Sequence, residues 1–189
     1  MPIRQWFLIK YMIKYVALLR GINVGGNKNV PMEDLRQMLS SLGFASIKTL
    51  LNSGNALFES AETNPGVLTQ KIEEVFVKQF GFESKIILRK ASDIEGLIKL
   101  DPFKHIKKEE NARLYVSFLD KESQSTLKLP YESADKSLLI LQKTKREVFS
   151  VVFLSSTVNS GDAMKFLEKE FGKSITTRNW NTVEKIMLL

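Results

Sequence analysis

Apolar residues along the chain fall into two kinds of run that alternate: short continuous blocks, and longer stretches in which they recur every three or four positions. Tyr15-Val16-Ala17-Leu18-Leu19 is a block of the first kind, closed by Arg20 and Gly21, and reads as a strand. Met32, Leu35, Met38, Leu39 and Leu42 recur at helical spacing after Pro31, which suits a first helical position, and Gly43 stops the run. Ile47 to Leu51 and Ala56 to Glu59 read as strands around the turn Asn52-Ser53-Gly54-Asn55. Val67 to Phe80 is a helix ended by Gly81, and Ser84 to Arg89 a strand. The order is βαββαβ.

The second half repeats it. A short helix near Ser92 to Leu100 leads in, and Asp101-Pro102 breaks it. Leu114 to Leu119 is a strand, Lys121 to Leu127 a weak helix, and Ser137 to Leu141 with Val148 to Leu154 a hairpin around Lys143 to Arg146. Asp162 to Phe171 is a helix capped by Ser160 or Asn159 and closed by Gly172. Ile175 to Thr177 is a short strand, and Trp180 to Leu189 one extra helix. The expectation is an α+β chain: an N-terminal extension over residues 1–13, a ferredoxin-like subdomain over 14–90, and a second over 91–189 that carries the extra helix. The strands are apolar on both faces, as in Tyr15 to Leu19 and Val148 to Phe153. A lone βαββαβ unit covers one face only, so the two units are expected to be packed together, within the chain or across a dimer.

Composition removes several kinds of chemistry. The 189 residues include no cysteine and one histidine, His105, in the polar stretch Lys104 to Lys108. Disulfides, thiolate nucleophiles, Fe–S clusters and thiolate-bound zinc are ruled out, and one imidazole makes no zinc site, so no metal is expected. A cysteine-free chain suits a reducing compartment, and the expected location is the cytoplasm. Lys10 and Lys14 interrupt the apolar start, no cleavage site follows, and no apolar run approaches the ~20 residues of a membrane helix. Met12 is the more natural start of the fold. The net charge of +7 draws polyanions, but the cations are dispersed among acids and no aromatic RNA-binding motif is present. Nucleic acid is therefore a secondary reading.

Three segments carry candidate chemistry. Arg20-Gly21-Ile22-Asn23-Val24-Gly25-Gly26-Asn27 leads from a strand into a helix, as loops that offer N–H groups to phosphate do, although it matches neither the P-loop nor the dinucleotide fingerprint. Glu33 and Asp34, just beyond it, would repel an anion. Asn52-Ser53-Gly54-Asn55 has the residues a tight turn demands, and Ser53 has no base beside it. Thr176 to Lys185 is the densest polar-aromatic string, partly explained by Asn181 and Glu184 as a capping-box variant.

These segments resemble a known family. "YVALLRGINVGGNKNVPMEDLRQMLSSLGF", "TLLNSGNALF" and "TTRNWNTVEKI" are similar to the bacterial proteins grouped as the domain of unknown function 1697 family, from about Met12 to the end. The resemblance implies two ferredoxin-like subdomains and no established activity or cofactor. Thr157 to Lys165 fits it less well, because Met164 precedes Lys165 where a small polar residue is expected. The resemblance singles out Arg20, Asn23, Asn52, Asn55, Arg178, Asn181 and Lys185. These amides and cations bind anions well and do acid–base work poorly. The function expected is a binding protein, or an enzyme without acid–base chemistry, for a small anionic ligand such as a nucleotide or phosphate ester. Arg20, Asn23, Asn52, Asn55 and Arg178 are expected to serve one pocket. The alternatives are a protein-interaction scaffold, in which the arginines meet carboxylates such as Glu33 or Glu184, and a weak RNA- or single-strand-binding protein. Oligomeric state is left open.

Overall fold

The computed structural model describes residues 12–26, 28–107 and 109–189. Residues 1–11 of the expected extension, Asn27 of the glycine-rich loop and Lys108 of the basic stretch lie outside the described residues. The chain divides into two compact units. One holds the described residues through Glu95 together with Lys185–Leu189; the other holds Gly96–Glu184.

The first unit runs β1 (Ile13–Leu19), α1 (Met32–Ser41), β2 (Ala45–Leu50), β3 (Asn55–Ser60), α2 (Pro65–Phe80), β4 (Ile86–Lys90) and the start of α3 (Ala91–Leu100). Its sheet has the order β2-β3-β1-β4, antiparallel throughout, the ferredoxin-like arrangement. Period-two alternation sends Tyr15, Ala17 and Leu19 of β1 into one core with Leu35, Met38 and Leu39 of α1 and Leu68, Ile72 and Phe76 of α2. Val16 and Leu18, which point the other way, are equally buried, so the apolar character of both faces of β1 corresponds to burial of both. The Asn64 side chain accepts from the N–H groups of Gly66 and Val67 to start α2, and Gly81 ends it at φ +76°.

The second unit runs from the rest of α3 through β5 (Ala112–Leu119), β6 (Tyr131–Glu132), β7 (Leu138–Lys143), β8 (Glu147–Phe153), α4 (Ser160–Phe171), β9 (Ile175–Asn179) and most of α5 (Trp180–Ile186). Its sheet order is β6-β7-β8-β5-β9, the same four-strand core with one short edge strand added. Asn159, not Ser160, caps α4, accepting from Gly161 N–H. The weak helix expected over Lys121 to Leu127 is not there; the segment is irregular. The Ser123 hydroxyl accepts from the N–H of Ser125, and the Ser125 hydroxyl from that of Leu127. Such side-chain bonds compete with a helical ladder. The segment Lys121 to Thr126 also lacks an apolar stripe that would repay forming one.

The repeat extends to individual positions. Val16 lies opposite Arg89 across β1 and β4, and Val116 opposite Arg178 across β5 and β9. Both arginines are buried. In each unit the last strand passes straight into a helix, β4 into α3 and β9 into α5. The terminal helix is thus the counterpart of α3 and not an unmatched addition.

Candidate functional site

Four of the seven expected residues come together at one end of the first sheet, where the loop after β1, the β2–β3 turn and the segment before β4 meet. The Asn23 amide is the clasp. Its Nδ2 donates to the carbonyls of Val30 at 2.9 Å and Asn52 at 2.7 Å, and its Oδ1 accepts from Val30 N–H at 2.7 Å. The loop is thereby closed on itself and tied to the neighbouring turn. Asn55, wholly buried at the start of β3, donates through Nδ2 to the Leu50 carbonyl at 2.9 Å and the Ser53 hydroxyl at 3.0 Å. Leu19 N–H donates to the Gly54 carbonyl, Arg20 N–H to the Lys85 carbonyl, and the Ser84 hydroxyl to the Arg20 carbonyl, all within 2.8–2.9 Å. Lys28 lies over the Phe82 ring at 5.5 Å.

The backbone here is unusual. Of the six non-glycine residues with positive φ among the described residues, three are at this end: Asn23 (+55°), Lys28 (+57°) and Leu51 (+58°). Such conformations cost free energy and gather at functional loops when the surroundings enforce them. Gly54 is obligatory on two counts. Its φ is +76°, and a Cβ there would sit 2.8 Å from Leu19 Cβ and 2.7 Å from Ile22 Cδ1. The rim is exposed, with Val24 70% accessible and Leu51 57%.

Neither residues 20–30 nor residues 51–55 contain a carboxylate, while Arg20 and Lys28 contribute cations; the segment before β4, which shares this end, adds Glu83 and Lys85. Glu33, expected to oppose an anion, is engaged by Arg36, whose guanidinium holds its carboxyl below the usual range; the same guanidinium reaches the Thr49 hydroxyl at 2.5 Å. Glu33 therefore meets Arg36 and not Arg20.

The other three residues are placed differently. Arg178 and Asn181 belong to the second unit, and Lys185 is on the exposed side of α5 in the part grouped with the first. Arg178 is 8% accessible and donates through Nη1 to the Thr176 hydroxyl at 2.7 Å and the Thr177 carbonyl at 3.0 Å. Burial lowers its pKa to about 10. Asn181 is exposed, and its N–H donates to Asn179 Oδ1 at 3.0 Å. A cavity of about 570 Å³ in the second unit, between the end of β5 and the end of α4, contains none of the seven. Sequence reasoning passed over Lys28, Arg113 and Lys107. Lys28 carries a signal in hindsight, since a lysine is the first cation after Gly25-Gly26.

What these residues can do chemically is limited and definite. No group of three or more His, Cys, Asp or Glu among the described residues could hold a metal ion. No described helix is long and apolar enough to cross a membrane. Two antiparallel ferredoxin-like sheets, a glycine-rich loop clasped by an asparagine, and an amide-and-cation rim define the class. The chain belongs to the family described as protein of unknown function (DUF1697), whose model matches residues 12–149 and so contains Arg20, Asn23, Asn52 and Asn55. It is similar to a solved structure, the conserved bacterial protein SP0830 from Streptococcus pneumoniae, at 26% identity and a TM-score of 0.71 over 94% of this chain and 98% of that one. No curated protein matches it.

Proposed function

We propose that the chain is a binding module for a small anionic ligand of the nucleotide or phosphate-ester kind, held at the loop end of the first sheet. The observation that carries this is the clasped, exposed loop from Arg20 to Val30. Asn23 and Lys28 hold left-handed backbone conformations there, the Asn23 amide ties the loop to Val30 and to the neighbouring turn, and the loop's own sequence carries cations and no acid. Because Asn23 and Asn55 spend their amides on the loops themselves, the ligand would be met by backbone N–H groups of Gly25 and Gly26, by Arg20 and Lys28, and by the exposed Asn52 side chain. Such a set stabilises charge and orients a ligand; it does not shuttle protons. The cysteine-free sequence suits action in the cytoplasm.

A thermal-shift screen against nucleotides and phosphorylated metabolites tests it. A ligand at a hundred times its Kd adds about 2.7 kcal/mol of stability. Arg20→Ala and Lys28→Ala should each abolish most of that gain while unfolding stays cooperative. A full shift that survives both substitutions would count against the site. Loss of folding in both variants would instead favour a scaffold role for these motifs.

A further inference from the structure

A second concave region, separate from the loop end, lies within the second unit. It encloses about 420 Å³ where the chain enters β5 and leaves β9. Its polar lining is Lys107, Glu109, Arg113, Asn179 and Asn181, with Ile106 and Leu114 supplying apolar wall. The Arg113 guanidinium is oriented from one side only: Nη1 donates to the Glu110 carbonyl at 2.6 Å and the Ala112 carbonyl at 3.1 Å. No described carboxylate pairs with it, so Nε and Nη2 remain available as a planar fork. Asn179 uses Oδ1 to accept from Asn181 N–H, which leaves its Nδ2 donors.

The repeated fold does not require this set. Register equates Arg113 with Ile13 and Asn179 with Lys90, since Tyr15 lies opposite Lys90 as Tyr115 lies opposite Asn179. The first unit folds with an aliphatic residue and a lysine in those places. An arginine held by backbone carbonyls with three of its five donors free, beside two amides and an apolar wall, is the lining of a ligand pocket more than of a structural joint.

We infer that this pocket binds a small carboxylic acid with an apolar body, its carboxylate on Arg113 and Lys107. Two cations against the single carboxylate of Glu109 leave one net positive charge, which matches a monovalent head group better than a doubly charged phosphate. The apolar body lies against Ile106 and Leu114.

Benzoate and phenyl phosphate, which share a body and differ in head group, separate the possibilities. Each is titrated into the full-length protein while the Arg113 Nε–H and the Asn179 and Asn181 side-chain amide signals are followed by NMR. Saturable shifts at these three residues with benzoate are expected, weakened about tenfold or more in Arg113→Ala and partly restored in Arg113→Lys, with the amide spectrum elsewhere unchanged. Absence of saturable shifts, or equal affinity in Arg113→Ala, would overturn the assignment. Tighter binding of phenyl phosphate than of benzoate would overturn the monovalent-head argument. Shifts confined to Gly25 and Gly26 would locate binding at the loop end instead and also count against this pocket.

Discussion

The two units begin from nearly the same strand, Tyr15-Val16-Ala17-Leu18-Leu19 in one and Tyr115-Val116-Ser117-Phe118-Leu119 in the other, and diverge at once after it. In the first, a glycine-rich loop without acids leads into α1. In the second, the stretch from Asp120 to Ser137 contains no glycine, several acids and no helix. The hairpin turns differ too, at matched positions. Leu19 N–H donates to the Gly54 carbonyl, and Leu119 N–H to that of Arg146. The next residue is a buried polar one in both, Asn55 and Glu147, each bonded across its own turn, Asn55 to Leu50 and Ser53 and Glu147 to Thr144. One backbone arrangement is therefore held by two unrelated sets of side chains. The positive-φ residues and the acid-free glycine-rich loop of the first unit have no counterpart at the matched positions of the second, and that surplus is what favours a ligand.

The comparison can be broken most sharply at Gly54. A Cβ there meets Leu19 Cβ, which β1 cannot move, and the left-handed backbone adds its own cost, so Gly54→Ala should lose about 3 kcal/mol. Arg146→Ala, at the matched turn, gives up among its contacts the bond from Nη2 to the Asp120 carbonyl but keeps a Cβ already present on an ordinary backbone, so it meets no such clash and should lose less. Urea unfolding of both variants checks this. Equal losses would mean that the two turns are held alike.

A smaller effect is expected at Ser150, which register places where the first unit has Phe58, opposite Tyr115 as Phe58 is opposite Tyr15. Ser150 is wholly buried, and its Oγ has no hydrogen-bond partner among the described residues. Removing an unsatisfied buried hydroxyl should leave stability unchanged or raise it by up to about 1 kcal/mol in Ser150→Ala. A clear loss by calorimetry would mean that the hydroxyl is satisfied in solution, as by a buried water.

Much of this was legible in the residues. The blocks Tyr15 to Leu19 and Val148 to Phe153 announced strands buried on both faces, and Gly43, Gly81 and Gly172 marked helix ends, because periodicity and capping are local properties. Lys121 to Leu127 misled because its charged residues favour a helix, whereas Ser123 and Ser125 turn their hydroxyls on the backbone. The motifs around Arg20 and Asn52 stood out as polar loop ends, but not their division of labour. That Asn23 bonds to Val30 and Asn52, twenty-nine residues away in the second case, depends on tertiary closure of the sheet end. Arg113 gave no signal at all, since an arginine at a strand start is ordinary until its surroundings are known.

The clasped loop of the first unit is proposed to meet a small anion. Titration of AMP into the uniformly ¹⁵N-labelled protein, with the backbone amides of Gly25, Gly26 and Lys28 resolved, tests it most directly. Saturable shifts are expected at these amides, lost in Lys28→Ala and weakened in Asn23→Ala, where the loop is no longer held in its binding conformation. Amides that stay still at millimolar AMP and at equally concentrated inorganic phosphate would contradict it.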